Sequence, residues 1–94
     1  MSTDHLVFRV HAIQRMFERR ITVQEVSCML AVGETIEDYP NDKPYPSRLV
    51  MGSHGDRPIH IVVADNKENG ETIIIMVYEP DPNLWESDFK RRKQ

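Results

Sequence analysis

His11, Arg15 and Arg19 recur at intervals of four residues, so on a helix they lie near one another and away from Ile13 and Phe17. A guanidinium forks onto phosphate oxygens and an imidazole titrates near neutrality. One such face therefore has the means to bind a phosphate and move a proton. The competing reading is a polar, solvated helix face. His60 stands inside Ile59-His60-Ile61-Val62-Val63. In an extended chain it points opposite to Ile59 and Ile61, as a strand histidine facing a neighbour does. It gains chemical interest where it meets Arg48, and pairing of residues 47–51 with 58–64 across the His54–Asp56 turn makes that meeting feasible.

Other chemistries find little support. The four histidines, His5, His11, His54 and His60, lack paired zinc-like spacing, and a single cysteine supplies no thiolate set, so no metal site is expected. Cys28 falls on the expected buried face of a helix and reads as a small core residue rather than a nucleophile. The four glycines are isolated, so there is no phosphate-cradling loop and no cofactor is expected. Tyrosines and the tryptophan are too scattered for a base-stacking platform.

The elements that must position these residues follow from periodicity. Val10, Ile13 and Phe17, with Leu6 a turn earlier, predict a first helix over roughly 4–19, its beginning blurred by Val7 and Phe8 to as late as Val10. Thr22 and Glu25 form a capping box that opens a second helix, with Val23, Val26, Met29 and Leu30 on its apolar face and Gly33 as its C′ residue. The short link makes an αα-hairpin. Beyond Gly33 the period becomes extended over 34–39. The proline-rich stretch 40–46 is a loop. Residues 47–51, 58–64 and 72–78 are strands joined by turns at 52–56 and 65–70. Pro80-Asp81-Pro82 stops the last strand and a short amphipathic tail helix covers 85–93. The expected fold class is α+β: two N-terminal helices, then a four-stranded antiparallel sheet, ααββββ, in one domain over 1–94.

Ninety-four residues suit one modest core. An apolar fraction of 39% with 29% charged residues excludes a disordered chain, and no apolar run reaches the length of a bilayer span. Met1–His5 lacks the basic and apolar regions of a secretory signal, and the lone cysteine agrees with a reducing compartment, so a cytoplasmic location is expected. The net charge of −3 argues against coating nucleic acid. Its distribution is uneven: Arg9, Arg15, Arg19 and Arg20 near one end and Lys90, Arg91, Arg92 and Lys93 near the other flank an acidic middle.

Taken in order, His11-Ala12-Ile13-Gln14-Arg15-Met16-Phe17-Glu18-Arg19, Ile21-Thr22, Gly33-Glu34, Tyr39-Pro40, Pro44-Tyr45-Pro46-Ser47, Arg57-Pro58-Ile59-His60 and Val77-Tyr78-Glu79-Pro80-Asp81-Pro82 with Trp85 form a set. The set resembles the signature of an uncharacterised bacterial and archaeal domain family over roughly residues 9–92. Arg20 departs from it, standing where that family usually ends its first helix with glycine, which touches the shape of the αα turn. In size and element order that family is similar to the RelE/ParE-like toxins, including the MqsR and BrnT branches. The resemblance implies a RelE-like fold and a type II toxin–antitoxin toxin, with a zinc-ribbon or helix-turn-helix antitoxin as partner. It also implies a metal-independent RNA endonuclease acting on messenger RNA, free or on the ribosome, in which the ribose 2′-OH attacks the neighbouring phosphate. His11 or His60 then serves as acid/base, Arg15, Arg48 and Arg19 hold the phosphate, and Tyr78 or Tyr45 orients the scissile group.

Two readings make different demands. An endonuclease requires His11, Arg15, His60 and Arg48 in one exposed cleft. A non-enzymatic module binding an antitoxin or a gyrase-like target requires an exposed apolar patch and scattered basic residues. The edge at 34–39 is a candidate for dimerisation or antitoxin pairing in either case.

Overall fold

The computed structural model describes residues 5–93. The order of elements is β1 (His5–Phe8), α1 (Val10–Arg19), α2 (Val23–Val32), β2 (Glu34–Tyr39), β3 (Ser47–His54), β4 (Arg57–Asn66) and β5 (Glu71–Tyr78). The five strands form one mixed sheet in the order β1-β5-β4-β3-β2. This replaces the expected four-stranded antiparallel, RelE-like layout. Strands β2 to β5 are an antiparallel meander, but β1 adds a fifth strand parallel to β5, pairing Leu6 with Thr72 and Phe8 with Ile74. The first helix begins at Val10, and Leu6, Val7 and Phe8 belong to that strand. Asp4, placed at the start of the expected helix, lies outside the described residues. No tail helix forms either: residues 80–93 are turns and bends that fold over the sheet. No helix among the described residues is long and apolar enough to cross a membrane.

The core lies between the sheet and the two helices. Ile59, Ile61 and Val63 of β4, Val50 of β3, and Ile74 and Val77 of β5 meet Ala12 and Met16 of α1 and Val26 and Met29 of α2. Helix α1 packs over β5 and α2 over β3. Ala12 and Met16 are therefore the buried face of α1, and the expected apolar face is not: Val10, Ile13 and Phe17 are 69%, 51% and 85% exposed. Cys28, expected in the core, is also exposed.

Local chemistry accounts for the helix ends. The capping box is formed in full, with the Glu25 amide donating to Thr22 Oγ1 (3.1 Å) and the Thr22 amide donating to Glu25 Oε1 (2.8 Å). The αα turn keeps its left-handed residue although glycine is missing. Arg20 takes φ 58°, ψ 44°, and the Ile21 amide reaches the Met16 carbonyl at 2.9 Å. Gly33 differs from expectation, since its φ of −76° needs no glycine. Its role is close approach: a Cβ there would lie 2.4 Å from the Met29 carbonyl oxygen and 2.9 Å from that of Met51. At the C-terminal end of β3 a two-residue turn, Gly55-Asp56, pairs His54 with Arg57, and Gly55 supplies φ 64°.

Candidate functional site

Sheet register decides which of the candidate residues can meet. His60 pairs with Met51 on one side and with Tyr78 on the other, so its side chain shares a face with theirs. Arg48 pairs with Val63, whose side chain faces the helices. Arg48 and Met51 are three residues apart on one strand, which puts Arg48 and His60 on opposite faces of the sheet. Arg48 instead donates from Nε to Asp65 at 3.0 Å. His11 and Arg15 are exposed on α1, on the helix side, and Arg15 is bonded to Glu18 at 3.1 Å. Tyr45 is half-buried in the loop between β2 and β3.

Of the candidates expected to meet from different elements, His60 and Tyr78 alone come together. The phenol of Tyr78 lies 3.2 Å from His60 Nδ1, and His60 Nε2 lies 2.7 Å from the Phe89 carbonyl oxygen. A carbonyl only accepts, so Nε2 carries the proton and Nδ1 accepts from the phenol. Trp85 closes the site edge-on, its ring centroid 4.5 Å from that of the imidazole. His60 is wholly buried. Burial pushes its pKa down, against the opposing Phe89 hydrogen bond and the charge of Glu37. Burial likewise pushes the Tyr78 phenol up. On β2, Tyr39 donates to Glu37, which raises the Tyr39 phenol to about 12. The imidazole is thus neutral, dry and engaged at both nitrogens.

A second polar cluster, unforeseen from the sequence, gathers at the αα-turn end of the sheet. His54 Nε2 is bonded to Glu25, and Arg57 Nη2 donates to His54 Nδ1 at 2.7 Å and to the Arg19 carbonyl at 3.1 Å. Arg57 Nη1 reaches Glu79 Oε1 at 3.2 Å, with Arg19 Nη1 4.0 Å from the same oxygen. The Thr22 amide, more than His54, holds the Glu25 carboxyl below the usual range. Two guanidiniums face two carboxylates, and His54 has no free lone pair for proton abstraction. The cluster ties the C-terminus of α1 to β3, β4 and β5. A signal existed: His54 and Arg57 flank a two-residue Gly-Asp turn, which obliges them to pair.

Beside this cluster a cleft of about 320 Å³ is lined by Glu25, Cys28, Met29, Val32, Ser53 and His54. Among the described residues no three His, Cys, Asp or Glu side chains gather as a metal ligand set.

A family model for a domain of unknown function, DUF4258, matches residues 8–79. The chain belongs to the DUF4258 family. The matched span holds both helices, β2 to β5, His60, Tyr78 and the Arg57 cluster, while the DUF4258 match stops before Trp85 and Phe89, which cover His60. Neither the curated proteins nor the solved structures give a match to this DUF4258 chain.

Proposed function

We propose that this protein acts as a protein-binding module, the toxin side of a type II toxin–antitoxin pair, and that α1 is its recognition surface. The observation that carries this reading is the stripe Val10, Ile13 and Phe17, three large apolar side chains spaced i, i+3, i+7 and left uncovered on one helix. Clustered exposed apolar side chains mark interaction sites, and this spacing is what a helix presents to a groove or to a second amphipathic helix. Arg9 at the start of α1 and Arg20 at its end stand at the two ends of the stripe, while His11 and Arg15 lie on another face of the helix and Glu18 is its one acidic side chain. The occupant with matching chemistry is an acidic amphipathic segment of a partner protein. A second copy of α1 would bring arginines against arginines. The class of partner, a small antitoxin, is suggested by the likeness in size between this domain family and the RelE/ParE-like toxins.

Metal-independent RNA cleavage is the second reading, supported by the meeting of His60 with Tyr78 and opposed by the placement of Arg48, His11 and Arg15 on the helix side of the sheet, away from His60. It demands that the cover over His60 open.

The test is co-purification and calorimetry with the protein encoded beside this one. Phe17→Ser with Ile13→Ser should weaken binding by about 30-fold or more, as loss of a central anchor worth about 2 kcal/mol does. Unfolding should shift by no more than about 0.5 kcal/mol for each exposed site. Unchanged affinity in the double variant would overturn the assignment.

A further inference from the structure

Residues 80–93 form neither helix nor strand, lie outside the span matched by the family, and yet complete one face of the sheet. The segment closes on itself through the Glu86 amide to the Arg91 carbonyl (2.8 Å) and the Lys93 amide to the Leu84 carbonyl (2.9 Å). Arg92 lies over the Trp85 ring at 4.9 Å. Three further contacts hold it to the sheet. Trp85 is buried against His60, the Phe89 carbonyl accepts from His60 Nε2, and Lys90 pairs with Glu34 at 2.8 Å on an exposed flank. Charge follows the same plan at one point, where Lys90 of the segment pairs with Glu34 of β2, and Glu37 of β2 lies close enough to act on His60.

We propose that the sheet face around His60 and Tyr78 is a peptide-binding groove in which residues 80–93 sit as an exchangeable ligand of the chain itself. The peptide it takes carries a tryptophan followed by basic residues. The groove offers an edge for an indole, an N–H for a main-chain carbonyl and a carboxylate for a lysine, one contact for each feature of such a peptide. A nucleic acid fits less well, because its phosphates would meet Glu34 and Glu37. This inference is independent of the α1 surface and uses no residue of it.

Hydrogen exchange on the full chain reads the first step. The amides of Glu86 and Lys93 should exchange at least about ten times faster than those of Ile61 and Val63 in β4, as a segment that opens on its own does. An excess of a synthetic peptide of residues 80–93 should raise exchange at those two amides further, because it competes for the groove. Full-length Trp85→Ala should bind the fluorescently labelled peptide at least about tenfold more tightly than wild type does, and the same peptide with Trp85→Ala should not bind. Unchanged protection in β4 and β5 checks that the variant is folded. Where it is not, the competition on the wild-type chain decides alone. Segment amides that exchange in step with β4, or show no response to the peptide, overturn the proposal. So does an opened chain that binds a labelled single-stranded oligoribonucleotide and not the peptide, which assigns the face to nucleic acid.

Discussion

Replacing Arg20 by glycine should make the protein more stable, and the backbone gives the size of the effect. Arg20 follows α1 at φ 58°, ψ 44°, with its amide directed at the Met16 and Phe17 carbonyls. A side chain in this left-handed region crowds its own carbonyl at a cost of about 1–2 kcal/mol, which glycine does not incur. Glycine also frees the unfolded chain, which returns roughly 0.5–1 kcal/mol of that gain. The Arg20 side chain is exposed. The net expectation for Arg20→Gly is a gain of about 0.5–1 kcal/mol, or a melting temperature roughly 3–6 °C higher for a chain of this length. Arg20→Ala is the control, since it removes the guanidinium but keeps the Cβ, and should give no such gain. Urea unfolding of the three proteins at one pH measures the differences. If alanine stabilises as much as glycine, the gain comes from removing charge, and the backbone argument is refuted.

Three further outcomes follow from named contacts. The folded-state pKa of His60 is lowered, so the native state holds fewer protons than the unfolded chain. Stability is then complete above the ordinary histidine value of about 6.5 and falls as pH drops below it towards the depressed value. The groups facing His60 are Tyr78 on β5, Glu37 on β2, and Trp85, Phe89 and Arg92. His60→Phe should flatten the loss of stability between about pH 6.5 and 5 in chemical unfolding, and a slope equal to wild type would count against the burial argument. Gly33→Ala should cost about 1–3 kcal/mol, because its Cβ meets two backbone oxygens at 2.4 and 2.9 Å, while Gly52→Ala, whose shortest contact is the Met29 Cβ at 2.9 Å, should cost less. The reverse order in urea midpoints would show that β2 shifts to make room. Thr22→Ala removes one half of a complete capping box and should cost about 1 kcal/mol, read as a lower urea midpoint at constant slope.

What could be read from the sequence depended on how local the cause was. The capping box, the loop at 40–46 and the strands β3, β4 and β5 announce themselves within a few residues, and each formed near its expected place. Strand β1 did not, because His5–Phe8 is four residues long and its partner, Glu71 to Ile74, lies far along the chain. Its apolar residues merged with the helix period that follows. Periodicity also exposes a stripe without saying whether anything covers it. Ile13 and Phe17 form the more obvious apolar face of α1, yet the small Ala12 and the flexible Met16 are what let the helix approach β5. The same gap hid the fate of His60: alternation gave its direction, while the segment that seals it carries no regular period. His54 and Arg57 meet only because a two-residue turn fixes their register, a constraint of geometry rather than of composition.

The parallel pairing of β1 with β5 sets the order in which a ribosome can complete this molecule. The strand synthesised first joins the strand synthesised last, so β1 waits unpaired until residues 71–78 have emerged. Helix α1, which rests on β5, waits with it. Helix α2 and the β3–β4 hairpin have each other much earlier and can form a first nucleus. Contacts between segments so distant in the chain are slow to form, because loop closure precedes any compensating contact. The face of α1 that waits for β5 is the one carrying Ala12 and Met16, whereas Val10, Ile13 and Phe17 are exposed before the sheet forms and after it.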